Sequence, residues 1–165
     1  MKKKWVIWIM LFGIVLLSLA VLAACGGSTP AATTGEQAAG EECTEIPKPT
    51  NAGSPGAAVG LTGDPTAGET VFSANCTVCH GDQGKGGVDN PGSDDGTVPE
   101  LNPVDACLKS TDATVFATNL DLFIEYGNVP EGESPAKQMP AFGKQGTLTQ
   151  QQIADVIAYV MSLNK

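Results

Sequence analysis

The chain has 165 residues, which allow one domain and a tail but leave little room for a second domain. It carries 18 acidic residues against nine lysines and no arginine, and three of the lysines lie at positions 2–4, so the remainder is strongly acidic. A surface of this sign repels nucleic-acid phosphates and anionic lipid headgroups, which argues against nucleic-acid binding and polybasic membrane adhesion. The 20 glycines and 11 prolines require long loops, whereas an apolar content of 42% still permits a small core.

The N-terminus has the pattern of an export segment. The lysines at 2–4 precede an uncharged apolar run over 5–24, which is long for a signal peptide and sufficient to span a bilayer. The sequence Leu-Ala-Ala-Cys at 22–25 resembles the lipobox of bacterial lipoproteins, which implies removal of a signal peptide at 1–24 and lipidation of Cys25. An uncleaved anchor helix is the alternative. Either way, we expect the rest of the chain on the outer face of the cytoplasmic membrane.

The segment 25–60 consists mainly of small and polar residues and has almost no large apolar side chain. Such a segment cannot offset its ordering entropy by burial, so we predict a flexible tether. One folded domain is then expected over 61–165.

Two helices of this domain have clear start signals. Asp64 is a good N-cap and is followed by Pro65 at the first helical position. Thr149 and Gln152 form a capping box at the start of the last helix. The apolar residues of that last helix share one stripe, which predicts a buried face: Ile153, Val156, Ile157, Val160 and Met161.

The middle of the domain is less regular. Residues 111–126 carry apolar side chains at helical spacing and are followed by Gly127, a plausible C-cap, but one helix and two helices both fit. The stretches 81–103 and 128–146 are rich in Gly and Pro without strand alternation, so we predict loops there. The pattern as a whole predicts an all-α domain.

Residues 76–80, Cys-Thr-Val-Cys-His, match the attachment pattern of c-type haem. The thiols of Cys76 and Cys79 would reach the two vinyl groups on one porphyrin edge, and His80 would reach the iron from one face. A thioredoxin-like dithiol would need a βαβ context, and half of a zinc site would need more Cys or His elsewhere. His80 is the only histidine in the chain, which leaves zinc short of ligands and excludes a second histidine on the iron within one subunit.

The other axial ligand is then expected to be a methionine. Beyond the N-terminal segment, the sulfur candidates are Met139 and Met161. Met161 lies on the apolar stripe of the last helix, where a core role is expected. Met139 lies in a predicted loop that can bring a thioether to the far face of the iron. We therefore predict His80 and Met139 as the metal ligands.

Together these residues resemble the class I c-type cytochromes. The resemblance is carried by Gly68 and Phe72, the motif at 76–81, the loop at 139–142, and a terminal helix that contains Tyr159. It implies a small cytochrome c fold in which helices and long loops pack around one covalent haem c. It also implies that Gly68 of the first helix meets Tyr159 of the last.

The resemblance further implies a Pro-x-Leu segment beside the proximal histidine. Pro99 and Leu101 are the best match, and the carbonyl of Pro99 would accept the Nδ1 proton of His80. Pro91 and Pro103 are the alternatives for that carbonyl.

The five cysteines can be divided by role. Lipid on Cys25 and thioethers at Cys76 and Cys79 leave Cys43 and Cys107. Because an exported compartment is oxidising, we predict that these two form a disulfide, with two unrelated thiols as the alternative.

A haem held by His and Met has no open coordination site, which implies one-electron transfer without a bound substrate. We expect a membrane-tethered carrier between a quinol-oxidising respiratory or photosynthetic complex and an oxidase, a reaction centre or a copper protein. A fixed monohaem subunit of a larger assembly, such as alternative complex III, is the main alternative. A haem peroxidase or ligand sensor is less favoured, since the chain lacks Arg and any second His for acid–base chemistry.

Overall fold

The computed structural model describes residue 43 and residues 45–165. The predicted signal peptide at 1–24, the lipobox at 22–25 and Cys25 lie outside the described residues, as does the first part of the predicted tether. Among the helices that are described, none combines the length and the apolar composition needed to cross a bilayer.

The described part of the chain is helical, which confirms the all-α prediction. Its two short 3-10 helices are Ala57–Gly60 and Asp82–Gly84. In place of strands, residues 45–165 contain two isolated bridges, Asp89 with Thr97 and Asn128 with Met139. The α-helices, in chain order, are α1 (Pro65–Asn75), α2 (Thr77–His80), α3 (Ala113–Tyr126) and α4 (Gln150–Leu163).

Helix α1 begins where the sequence predicts. The carboxylate of Asp64 accepts a hydrogen bond from the backbone N–H of Thr66 at 2.8 Å, and Pro65 occupies the first turn. These groups satisfy or remove N–H donors that have no partner inside the helix. The backbone N–H of Asp64 also donates to Asp155 at 2.9 Å, so the start of α1 is bound to α4.

Helix α3 is one continuous helix rather than two. It begins two residues later than predicted, because the side chain of Asp112 accepts from the backbone N–H groups of Thr114 and Val115 and so caps the helix at that point. It ends at Gly127, whose φ of 69° lies in the left-handed region that glycine adopts without strain.

Helix α4 has the predicted capping box, in which Thr149 and Gln152 bond each other's backbone N–H groups. Leu148 and Ile153 are both buried at this end, consistent with a hydrophobic staple. The predicted stripe faces the core, although Met161 at its end is only partly buried.

Helices α1 and α4 approach each other closely at Gly68. A Cβ atom at this position would overlap the backbone carbonyl of Asp155 and come within 2.9 Å of the Tyr159 Cβ atom. One turn further along α1, the Phe72 ring packs on the Tyr159 ring with a centroid distance of 5.3 Å. The expected contact between Gly68 and Tyr159 is therefore confirmed.

The strap, by which we mean Cys43 and residues 45–60, differs from the predicted tether. The backbone N–H of Gly56 donates to Asp121 Oδ2 at 2.6 Å, and that of Ala58 donates to Gln150 Oε1 at 2.8 Å. Ala58 is buried in the core. This part of the predicted tether is bound to the domain because polar side chains of the helices bind the strap's backbone, which does not require large apolar residues.

The start of the strap is covalently joined to the domain. The structure contains a disulfide between Cys43 and Cys107, residues that are 64 positions apart in the sequence, with a Cα–Cα distance of 5.4 Å. Cys107 lies in the segment that precedes α3. The strap is therefore held at its first residue as well as along its length.

We expect Gly68→Ala to lower the free energy of unfolding by about 2 kcal/mol. Overpacking against a fixed backbone carbonyl lowers the free energy of unfolding by about 3 kcal/mol. The better helix propensity of alanine offsets about 1 kcal/mol of this loss. Urea unfolding of the haem-loaded protein measures the loss.

Gly60→Ala is the matched control, since a Cβ atom at Gly60 has no neighbour within 4 Å. We expect this variant to change the free energy of unfolding by less than about 1 kcal/mol. Equal unfolding midpoints for the two variants would contradict the proposed role of the close approach.

Candidate haem site

The two motif cysteines lie on a helical turn that continues from α1 into α2. The carbonyl of Cys76 accepts hydrogen bonds from the backbone N–H groups of Cys79 and His80 at 3.1 and 2.9 Å. Residues three apart on such a turn share a face, so the two thiols lie on the same side. Both cysteines are half-buried and neither is in a disulfide. Two thiols are thus available side by side for thioether formation.

The thiol of Cys76 is held in its neutral form. Burial raises the pKa of Cys76 to about 12, and the nearby Cys79 adds to the shift. Burial against the apolar core therefore disfavours the thiolate of Cys76.

The imidazole of His80 has a fixed orientation. Its Nδ1 atom lies 2.9 Å from the carbonyl oxygen of Pro99. Because a carbonyl only accepts, Nδ1 carries the proton and Nε2 keeps its lone pair for a metal. Burial lowers the pKa of His80, while the hydrogen bond to Pro99 opposes this shift. The neutral imidazole is the form that binds iron.

The segment that carries Pro99 is itself held in place. The backbone N–H of Leu101 donates to the carbonyl of Gly84 at 2.7 Å, and the carbonyl of Leu101 accepts from the Asn164 side chain at 2.8 Å. The Leu101 side chain packs against the hydrophobic core. The Pro-x-Leu segment is thus bound both to the loop after His80 and to the end of α4.

Met139 is positioned by the end of α3. It exchanges two backbone hydrogen bonds with Asn128, at 3.0 and 2.8 Å. Gly127 makes this approach possible, because a Cβ atom there would overlap the Met139 carbonyl oxygen. The Met139 side chain is half-buried against the hydrophobic core that also contacts Cys76 and Leu101.

Met161 has a different environment. It lines a surface groove of about 200 Å³ together with Ala113 and Ala117 of α3 and Ala158 of α4. It also packs against the core from α4. These contacts agree with the core role that its position on the stripe predicts.

Asn90 is a structural residue of the site that the sequence did not reveal. Its side chain is almost fully buried, with 1% exposure. The amide donates to the Lys137 carbonyl at 3.1 Å and accepts from the Lys137 backbone N–H at 2.7 Å. Lys137 lies two residues before Met139, so Asn90 holds the chain leading to it. The two partners are 47 residues apart, and no local pattern marks such a contact.

The same two loops together present a group of carboxylates. Backbone bonds join Asp94 to Glu131 at 2.9 Å and Pro91 to Ala136 at 2.9 Å. We call the exposed carboxylates of the joined loops the acidic lobe; they are Asp89, Asp94, Asp95, Glu131 and Glu133. The lobe concentrates negative charge on the loop that follows His80 and on the loop that precedes Met139.

The donor set fits a covalent haem. It consists of two thiols on one helical turn, a neutral imidazole with Nε2 uncommitted, and a loop thioether against the same core. The haem would be held on one side by Cys76, Cys79 and His80, and the Met139 sulfur would be the second ligand to the iron. Within the described residues no cluster of three or more His, Cys, Asp or Glu forms an alternative metal site.

The comparisons with known proteins agree with this chemistry. The profile of the family described as "Cytochrome c" matches residues 65–164. The chain is 32% identical over 102 residues to the Cbb3-type cytochrome c oxidase subunit FixP of Sinorhizobium medicae, covering 61% of this chain and 30% of that protein. It is 35% identical over 102 residues to the Cbb3-type cytochrome c oxidase subunit CcoP of an Azospirillum species, covering 59% and 30%.

The chain spans about 30% of the length of the curated relatives it matches. No solved structure matches it. The family match covers all four α-helices and every residue of the candidate site. The chain therefore belongs to the cytochrome c family, a match that implies a covalently bound haem c.

Proposed function

We propose that the chain binds one haem c through thioethers at Cys76 and Cys79, with His80 Nε2 and the Met139 sulfur as axial ligands. When bound, the haem supplies a reversible one-electron change between ferric and ferrous iron. The observation that carries the proposal is the 2.9 Å bond between His80 Nδ1 and Pro99, beside two unpaired thiols on one helical turn.

Each ligand has a separate effect on the site. The Pro99 carbonyl fixes the plane of the His80 ring and makes Nε2 a stronger donor. The thioether of Met139 favours the ferrous state relative to a second nitrogen ligand, which raises the potential. Because His80 and Met139 would both bind the iron, no position would remain for a substrate. The bound haem would supply one-electron transfer to a docked partner.

The domain is placed on the outer face of the cytoplasmic membrane by a lipid anchor on Cys25. There it relays electrons from a quinol-oxidising respiratory or photosynthetic complex to an oxidase, a reaction centre or a copper protein. The lipobox-like sequence at 22–25 supports the anchor, and the His and Met ligands support a downstream place in the chain of carriers. The acidic lobe favours a partner with a basic docking surface.

A second candidate is a fixed subunit of a larger membrane oxidoreductase. The two relatives described above are named as oxidase subunits, which favours this candidate. Alternative complex III is another assembly of the same kind. In both candidates the cytochrome domain performs the same electron transfer, and only its attachment to partners differs.

Solubilisation of native membranes in a mild detergent separates the two candidates. For the free carrier we expect the chain to elute alone on size exclusion, because a lipid anchor does not hold it to a partner. Co-elution with a large haem-containing complex would identify it as a fixed subunit. Raising the salt concentration is the control, since a transient electrostatic complex dissociates and a fixed subunit does not.

We expect Met139→Leu to remove the red-region absorption band of thioether-bound ferric haem and to lower the midpoint potential. The fall should be on the order of 0.1–0.3 V, within the roughly 0.8 V that axial ligands span. Ferrous protein should also become able to bind carbon monoxide rapidly, since an axial position opens. Optical titration and flow mixing measure these changes.

Met161→Leu is the matched control for this experiment, since it makes the same substitution at the methionine that lines the groove beside α3. We expect it to keep the band and the potential of the unmodified protein. If Met139→Leu and Met161→Leu both keep them, Met139 is not the ligand.

Intact-mass measurement of the protein purified from its native membrane tests the anchor. We expect a chain that begins at Cys25 and carries acyl groups, because the lipobox directs both cleavage and lipidation. A chain that begins at Met1 without acyl groups would show an uncleaved anchor helix instead. A Cys25→Ser variant is the control, and it should lose the acyl mass.

A further inference from the structure

The strap precedes the part of the chain that matches the family, which begins at residue 65. The disulfide from Cys43 to Cys107 holds its start, and its end leads into α1. Electron transfer at a haem does not by itself require such a segment. The contacts of the strap with the domain therefore indicate what it adds.

Tyr126, the last residue of α3, makes one contact with the strap. Its hydroxyl donates to the carbonyl of Ser54 in the strap at 2.7 Å. The ring lies against Gly53, where a Cβ atom would meet it, and the Lys144 ammonium lies 4.9 Å from the ring centroid, a cation–π distance. Lys144 belongs to residues 139–146, which we call the methionine loop. Tyr126 thus contacts the strap and the methionine loop at once.

A second contact connects Thr50 of the strap to Asn128. The backbone N–H and the hydroxyl of Thr50 both donate to Asn128 Oδ1 at 3.3 Å, and the hydroxyl accepts from the Val129 N–H at 3.4 Å. These bonds are long, so each is weaker than the Tyr126 bond. Asn128 in turn holds the backbone of Met139 by two hydrogen bonds. Asn128 therefore bonds both the strap and the predicted ligand, Met139.

Packing does not hold the methionine loop on this side. A groove of about 240 Å³ lies here, lined by Asn51 of the strap, by Tyr126 and Asn128, and by residues 139–141 of the loop. A loop beside open space lacks the dispersion contacts that restrain a close-packed segment. On this side the loop is restrained by backbone bonds from Gly143 to Ile124 and from Lys144 to Glu125, at 3.3 and 3.0 Å, and by the contacts described above.

We propose that the strap is a clamp on the methionine loop, and that Tyr126 and Thr50 are positioning residues that slow the departure of the Met139 sulfur from the haem iron. This inference rests on the proposed function, in which Met139 is an axial ligand. Outward movement of the loop must break the Asn128 pairing or carry Asn128 with it, and the second movement breaks the Thr50 bonds. The disulfide keeps the strap near the domain, so broken contacts re-form quickly.

The test compares Tyr126→Phe with Tyr159→Phe, which removes the hydroxyl of the only other tyrosine and touches none of these contacts. The readout is the rate at which ferrous haem-loaded protein binds carbon monoxide, since the gas can enter only after Met139 has left. We expect Tyr126→Phe to bind about fivefold faster than the unmodified protein, the effect of one net hydrogen bond. Tyr159→Phe should bind at the unmodified rate.

Titration of ferric protein with imidazole gives an equilibrium readout of the same opening. We expect Tyr126→Phe to lose the thioether band at about fivefold lower imidazole concentration. Thr50→Val should shift both readouts in the same direction by a smaller factor, because its bonds are longer. The Cys43→Ser, Cys107→Ser variant should also bind carbon monoxide faster, since the strap is then free at its start.

The clamp proposal is contradicted if Tyr126→Phe and Thr50→Val both bind carbon monoxide at the rate of the unmodified protein. A lower melting temperature with an unchanged rate would overturn it equally, since that result shows a structural role alone. In both cases the thioether band of the unmodified protein persists and the proposed function stands. If the unmodified protein lacks the band, Met139 is not a ligand and both proposals fall.

Discussion

The close approach of α1 to α4 is the contact on which the placement of the haem-binding residues depends. Gly68 lets the backbone of α1 reach the Asp155 carbonyl, and Phe72 then packs on Tyr159. Helix α1 runs directly into the turn with both motif cysteines and His80. The position of α1 on α4 therefore sets the position of the thiols and the imidazole. A larger residue at Gly68 would move all three donors together.

Buried asparagines hold the long loops of this domain in the way that strand pairing holds the chain in a sheet. The loops have few backbone partners of their own, yet their buried polar groups must be satisfied. Asn90 bonds both backbone groups of Lys137, and Asn164 bonds the carbonyl of Leu101 and the N–H of Val104. An amide side chain can donate and accept at once, which suits it to this role. The chain beside His80 and the chain before Met139 are each held in this way.

The described chain combines a family domain with a segment that the family match does not include. The domain supplies the candidate donor set, and the strap adds hydrogen bonds to Tyr126 and Asn128, which in turn contact the methionine loop. In the proposed function the thioether of Met139 is the weaker of the two ligands. A restraint on it would help the iron to keep the same ligands in both oxidation states.

The helix starts, the haem motif and the family membership could all be derived from the sequence, because each depends on residues that are close along the chain. Asp64 caps α1 through a residue two positions away, and the donors at 76–80 are contiguous. Met139 could be proposed as the second ligand because the chain has few methionines beyond its N-terminal segment. Only the tertiary structure decided that Pro99 supplies the carbonyl for His80, that Asn90 joins two loops, and that the strap lies on the domain. Those contacts join polar groups up to 92 residues apart, and they depend on the path of the chain, which neither spacing nor periodicity records.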